Sequence, residues 1–151
     1  MRRMSKIETL KRMRKEYKAP DDVFEALLSQ VEGQYIPKDP AIIHDAIYRL
    51  AQEQGFRELL KDFHFDTSGI SPFSDLLDRV LFRLEISGIL GTIEPKFERY
   101  VLSRRSKAEL LETYREKFSP DEQEILRRMS AVFENYLRCA GGGKVVAERQ
   151  C

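Results

Sequence analysis

The chain has 151 residues, 42% of them hydrophobic and 34% charged, with a formal net charge of +1. That length suits one main compact domain with appended helices, and that balance suits a packed core under long solvated helices better than a disordered chain. No apolar run approaches the roughly 18 residues that span a bilayer, and the basic start MRRMSK leads into a charged helix instead of an apolar leader, so no transmembrane segment and a cytoplasmic location are expected.

The small net charge hides an asymmetry. Residues 1–18 hold eight basic side chains against Glu8 and Glu16, a balance of +6 that leaves −5 on the rest of the chain. A basic arm on an acidic body is an electrostatic footprint for nucleic acid, an anionic surface or an acidic partner, and equally the look of an ordinary basic helix.

Ser5 followed by Glu8 is a capping-box pattern, and Ile7, Leu10, Met13 and Tyr17 recur at helical spacing, which predicts an amphipathic helix over 6–18. Pro20, Asp21 and Asp22 start a second helix, with Val23, Ala26, Leu27 and Val31 as its buried stripe. Gln34 to Lys38 reads as a connector. Asp39 then caps a helix with Pro40 at its first position and Ile43, Ala46, Ile47 and Leu50 on its apolar face.

Phe56, Leu59, Leu60 and Phe63 fit a short helix, and residues 64–70 a loop, with a short strand suggested at Phe63 to Phe65. Ser71 with Pro72 predicts the start of the strongest helical stripe in the chain, Phe73, Leu76, Leu77, Val80, Leu81 and Leu84, closed at Ser87-Gly88 by a left-handed C-cap. Ile89 to Ile93, a turn at Glu94-Pro95-Lys96, and Glu98 to Leu102 read as a β-hairpin. Two capping boxes, at Ser106 and Ser119, predict two C-terminal helices, and the stretch from Gly141 on reads as a flexible tail.

The fold class is therefore mainly α with a small β-hairpin. The order of helices, loop, long helix and hairpin resembles a winged helix-turn-helix: in "PFSDLLDRVLFRLEISGILGTIEPKFERYVLS", Leu81, Leu84, Gly88, Leu90, Tyr100 and Leu102 stand where that superfamily turns from its third helix into its wing. Residues 56–103 are also similar to Panacea-type antitoxin domains, with Ser71-Pro72-Phe73-Ser74 in place of their "gPyS" run. The resemblance implies a winged-helix core with flanking N- and C-terminal helices. Residues 1–36 would be a basic helical arm with a second helix, 37–103 the winged domain, 104–139 a C-terminal helical hairpin suited to dimerisation, and 140–151 the tail.

A winged helix implies duplex DNA as the ligand and a role in transcription regulation. On the outer face of the third helix, Arg79 and Arg83 lie one turn apart and reach guanine edges or phosphates; Lys96 and Arg99 on the wing, and Arg104, Arg105 and Lys107 after it, suit a phosphate backbone. Asp75 and Asp78 on the same helix repel phosphates, and Phe82 is more at home against protein. These three residues support the alternative, an antitoxin-like module that binds a protein partner.

Nothing organises a catalytic site or a cofactor. His44 and His64 belong to no HExxH or closed ligand set, Gly141-Gly142-Gly143-Lys144 lacks the spacing of a phosphate loop, and no nucleophile elbow is present. His44 reads as a face residue of its helix. Cys139 and Cys151, without CxxC spacing, read as free thiols. No metal, no cofactor and no enzymatic activity are expected.

Overall fold

The computed structural model describes residues 5–9, 19–33, 35–92 and 99–141. Its named elements are α1 (Pro20–Ser29), β1 (Tyr35–Pro37), α2 (Pro40–Gln52), α3 (Gln54–Arg57), α4 (Asp75–Ile86), β2 (Gly91–Thr92), β3 (Arg99–Val101), α5 (Arg104–Lys117) and α6 (Pro120–Gly141). The fold is mainly helical with one small antiparallel sheet, ordered β1-β3-β2.

The helix starts follow from local chemistry. Ser5 and Glu8 exchange the two bonds of a capping box, and residues 6–9 are helical; the rest of the expected first helix lies outside the described residues. At α1 the Asp22 carboxylate accepts the Ala19 backbone N–H at 2.9 Å, and Pro20 occupies the first position. Asp39 caps α2 by accepting the Ala41 N–H at 2.9 Å. Ser119 and Glu122 satisfy each other's backbone N–H groups at the start of α6. Each arrangement pairs amide groups that a helix start leaves without intrahelical acceptors.

Residues 34–38 are more than a connector. Tyr35, Ile36 and Pro37 form β1, which pairs with β3 in the register Tyr35↔Val101, Ile36↔Tyr100, Pro37↔Arg99. The strand is short and sits at a sheet edge, where proline is tolerated, so its only sequence signal was one buried isoleucine between outward residues. On the other side of β3, Gly91 faces Val101 and Thr92 faces Tyr100; the turn expected at 94–96, with Lys96, lies outside the described residues.

One core joins all these elements. Phe24, Leu27 and Leu28 of α1, Ile43, Ile47 and Leu50 of α2, Leu77, Val80 and Leu84 of α4, and Leu126, Met129 and Phe133 of α6 are buried together. A fully buried side chain of this kind contributes about 1.5–3 kcal/mol over an exposed one. α5 packs on α1, and α6 packs along α2.

The apolar stripe of the two C-terminal helices, read in the sequence as suited to dimerisation, packs on this core. Leu110, Tyr114, Phe118, Phe133 and Leu137 are buried, and Leu111, Val132 and Tyr136 pack partly buried on the same core. A second contact fastens α6: the Glu134 carboxylate accepts the N–H groups of Glu32 and Gly33 at 3.0 and 2.9 Å, locking the turn between α1 and β1. A Cβ at Gly33 would lie 3.2 Å from that carboxylate, so the turn favours glycine for the close approach. Cys139 is corrected from the expected free thiol to a disulfide-bonded cysteine.

Where α5 meets α1, the Lys117 ammonium pairs with Asp22 at 2.8 Å. Glu25, partly buried on the same face, has its pKa raised to about 7 by burial and by the neighbouring carboxylates Asp22 and Asp21, against the pull of Lys117. Since the folded pKa exceeds the unfolded one, ionised Glu25 weakens the fold. That cost is absent below the unfolded value, grows through the window between 4.5 and about 7, and is complete above it. Glu25→Gln should therefore stabilise the protein by about 1 kcal/mol near pH ~8, after allowance for partial exposure, and by nothing near pH ~4. Urea unfolding at the two pH values checks this, and an equal effect at both would contradict it.

Candidate functional site

The expected third helix is α4, but it begins three residues later than Ser71-Pro72 suggests. Asp66 and Phe73 exchange both backbone hydrogen bonds, at 2.8 and 3.0 Å, and close residues 66–73 into a loop. Ser74 is the N-cap, its hydroxyl accepting the Leu77 N–H at 3.2 Å. The expected helix over 56–63 is likewise only α3 and a series of turns, in which Leu60 and Phe63 donate to the carbonyls three residues back at 3.2 and 3.1 Å.

His44 explains where α4 starts. It stands on the buried face of its helix; its ring stacks on Phe73 with centroids 4.6 Å apart, and Nδ1 accepts the Ser74 backbone N–H at 3.0 Å. A ring accepting at Nδ1 must carry its proton on Nε2, and burial lowers its pKa, opposed by Asp78. The neutral ring is thus a structural support for the α4 start. Among the described residues, no group of three or more His, Cys, Asp or Glu side chains is placed to hold a metal ion.

At its other end α4 closes on Ser87, followed by Gly88 at φ +83°, a left-handed conformation that glycine adopts without strain. With Leu77, Val80, Leu81 and Leu84 turned inward, the helix exposes Asp75, Asp78, Arg79, Phe82, Arg83 and Ile86. Phe82 and Ile86, one turn apart, are 61% and 69% exposed.

The two arginines of this face differ in state. Arg83 is engaged: its Nε and one terminal nitrogen donate to the two Asp21 carboxylate oxygens at 2.8 and 2.6 Å, a fork that ties α4 to the first turn of α1. Arg79 has no ion-pair partner among the described residues and lines the grooves on both sides of it. One groove, of about 410 Å³, adds Asp62, Asp66 and Asp75 to Phe73 and Leu76. The other, of about 230 Å³, lies against the sheet, where Lys38 pairs with Glu85 at 3.1 Å and sits over the Tyr100 ring, beside Asp78 and Phe82. The Asp66 carboxylate accepts the Ser68 N–H and hydroxyl, which lowers its pKa and keeps it ionised.

The remaining candidates stand on other elements. Arg99 is exposed on β3. Arg104, Arg105 and Lys107 lie in the first turn of α5, not in a loop before it, because the cap is Ser103, whose hydroxyl accepts the Ser106 N–H at 3.1 Å. Arg105 pairs with Glu109 at 3.3 Å, and the Lys107 ammonium donates to the Val31 carbonyl, which leaves Arg104 as the unpaired cation of the three among the described residues.

Several residues of this surface were missed. Ile86 was within reach, since removing the inward stripe leaves it one turn beyond Phe82. Asp62 and Asp66 come from the loop and Glu85 from the flank of α4, so only the folded corner brings them beside Asp75 and Asp78.

No protein-family model, no curated protein and no solved structure matches the chain.

The Asp21–Arg83 pair is partly solvated, so its expected coupling is about 0.5–1 kcal/mol in a double-mutant cycle of Asp21→Asn and Arg83→Met. The coupling should shrink with added salt. Additive effects in urea unfolding would mean that Arg83 is free.

Proposed function

We propose that the chain is a winged-helix interaction module that binds a protein partner through the exposed face of α4. The winged-helix reading draws support from a hairpin that follows α4 directly; because residues 56–63 hold only the end of α3 and turns, the three helices become α1, α2 and α4, which extends the module beyond the expected 37–103. β1 extends that sheet, and residues 53–74 make an enlarged corner between the second and third helices.

The observation that carries the choice of ligand is the state of Arg83. With its guanidinium held by Asp21, the helix offers a groove reader a single free arginine, Arg79, set among Asp75, Asp78, Asp62, Asp66 and Glu85. Phosphates are repelled by such a surface, and duplex DNA carries them at every step. Exposed Phe82 and Ile86 give instead the apolar anchors on which protein interfaces rely. This is the antitoxin-like alternative of the sequence, with Asp75, Asp78 and Phe82 as its contact residues.

One observation favours a second reading, a nucleic-acid-binding regulator. Arg99 and Arg104 are exposed and without partners among the described residues, and neither lines the two acidic grooves. Such cations suit backbone contacts that carry no sequence information.

Fluorescence anisotropy with a labelled mixed-sequence duplex, at about 50 and 200 mM salt, separates the two. The partner reading expects weak, non-saturating binding that Arg79→Glu leaves unchanged. Saturable binding, steeply weakened by salt and abolished by Arg79→Glu, would put α4 on DNA and overturn it. Saturable binding lost only in Arg99→Glu with Arg104→Glu would favour the regulator.

A further inference from the structure

The two grooves flanking Arg79 share a wall and share a chemistry. Asp62, Asp66 and Asp75 line one groove together with His64, and Asp78 and Glu85 line the other; Glu85 and Lys38 neutralise each other, which leaves four carboxylates against the one guanidinium of Arg79. Their apolar lining includes Leu76 and the 40% exposed Phe73 in one groove and the 61% exposed Phe82 in the other. Ile86 continues this strip along α4. An acidic rim about an apolar strip is complementary to a ligand of the opposite pattern.

We propose that this double groove is a docking site for a basic amphipathic peptide segment of a partner protein, its apolar side chains seated on Phe82 and Phe73 and its lysines or arginines facing the carboxylates. The inference rests on the partner reading above and names the chemistry of the partner. A helical segment fits the demand, because residues three and four apart present one apolar stripe flanked by charge. Arg79 stands at the shared wall, so the occupant spaces its cations to either side of it and places an apolar or acidic side chain at the centre. The rim steers association and sets partner choice, and the aromatic anchors supply the affinity. Asp75 and Asp78 act in both capacities: they face the ligand, and they favour the positive end of the α4 dipole.

The experiment titrates two synthetic helical peptides, one of leucine and lysine and one of leucine and glutamate, into the full chain. Backbone amide NMR shifts locate the contact and anisotropy gives the affinity. The leucine-lysine peptide should bind saturably and perturb α4 and residues 62–74, while the leucine-glutamate peptide should not bind. Asp75→Asn with Asp78→Asn should weaken binding about tenfold, and more at low than at high salt. Phe82→Ser should weaken it by a similar factor; this side chain lies outside the core, so circular dichroism should be unchanged. Binding unaffected by either change, or perturbations confined to other surfaces, would overturn the docking site. Binding of neither peptide would overturn the basic-segment chemistry and leave the partner reading to stand on the duplex titration. Loss of the partner reading itself would show there, as saturable DNA binding that depends on Arg79.

Discussion

The forked ion pair between Arg83 and Asp21 sets what the rest of this molecule can present. It joins the outer side of α4 to the first turn of α1, so the helix that organises the core is braced from its solvent side as well. It also removes one of two arginines from the surface on which nucleic-acid reading would depend. What remains is one free guanidinium among four carboxylates that no lysine or arginine pairs, with an exposed phenylalanine and isoleucine beside it. The proposal of a protein partner follows from that single reassignment of charge.

The same economy governs the apolar surface. The two C-terminal helices bury their stripes on α1 and α2, and Glu134 fastens the α1–β1 turn through two backbone amides. Little apolar surface is left for other uses on α5 and α6, whereas α4 keeps Phe82 and Ile86 outside the core and the adjoining loop keeps Ile70 exposed. A single exposed apolar side chain is ordinary, but Phe82 and Ile86 stand one turn apart on the helix that also carries the groove's acids.

Much of the helical framework was legible in the sequence because its signals are local. The capping boxes at Ser5 and Ser119, the Asp39-Pro40 start and the Ser87-Gly88 stop act within a few residues of themselves, and each appears where its residues stand. The misplacements have one cause, a distant contact that overrode a local signal. Ser71-Pro72 is a sound helix start until the Asp66–Phe73 bonds and the His44 ring hold the chain outside the helix through Phe73. Ser106 resembles a cap, yet Ser103 is placed by β3 to serve first. β1 has a single buried isoleucine for a signal and forms where β3 offers an edge. The candidate site was legible only in part for the same reason: spacing along α4 shows Asp75, Asp78, Arg79 and Phe82 on one side, but no spacing shows that residue 21 holds residue 83 or that the corner adds Asp62 and Asp66.

The most direct measurement is the side-chain NMR of the arginines in the free protein at low salt. Held in a fork by Asp21, the Arg83 Nε–Hε proton should exchange slowly with water and give a resolved resonance that disappears in Asp21→Asn, while the Arg79 proton exchanges fast in both. Equal, rapid exchange at Arg83 and Arg79 would mean that α4 carries two free arginines, and the acidic, partner-binding character assigned to its face would be contradicted.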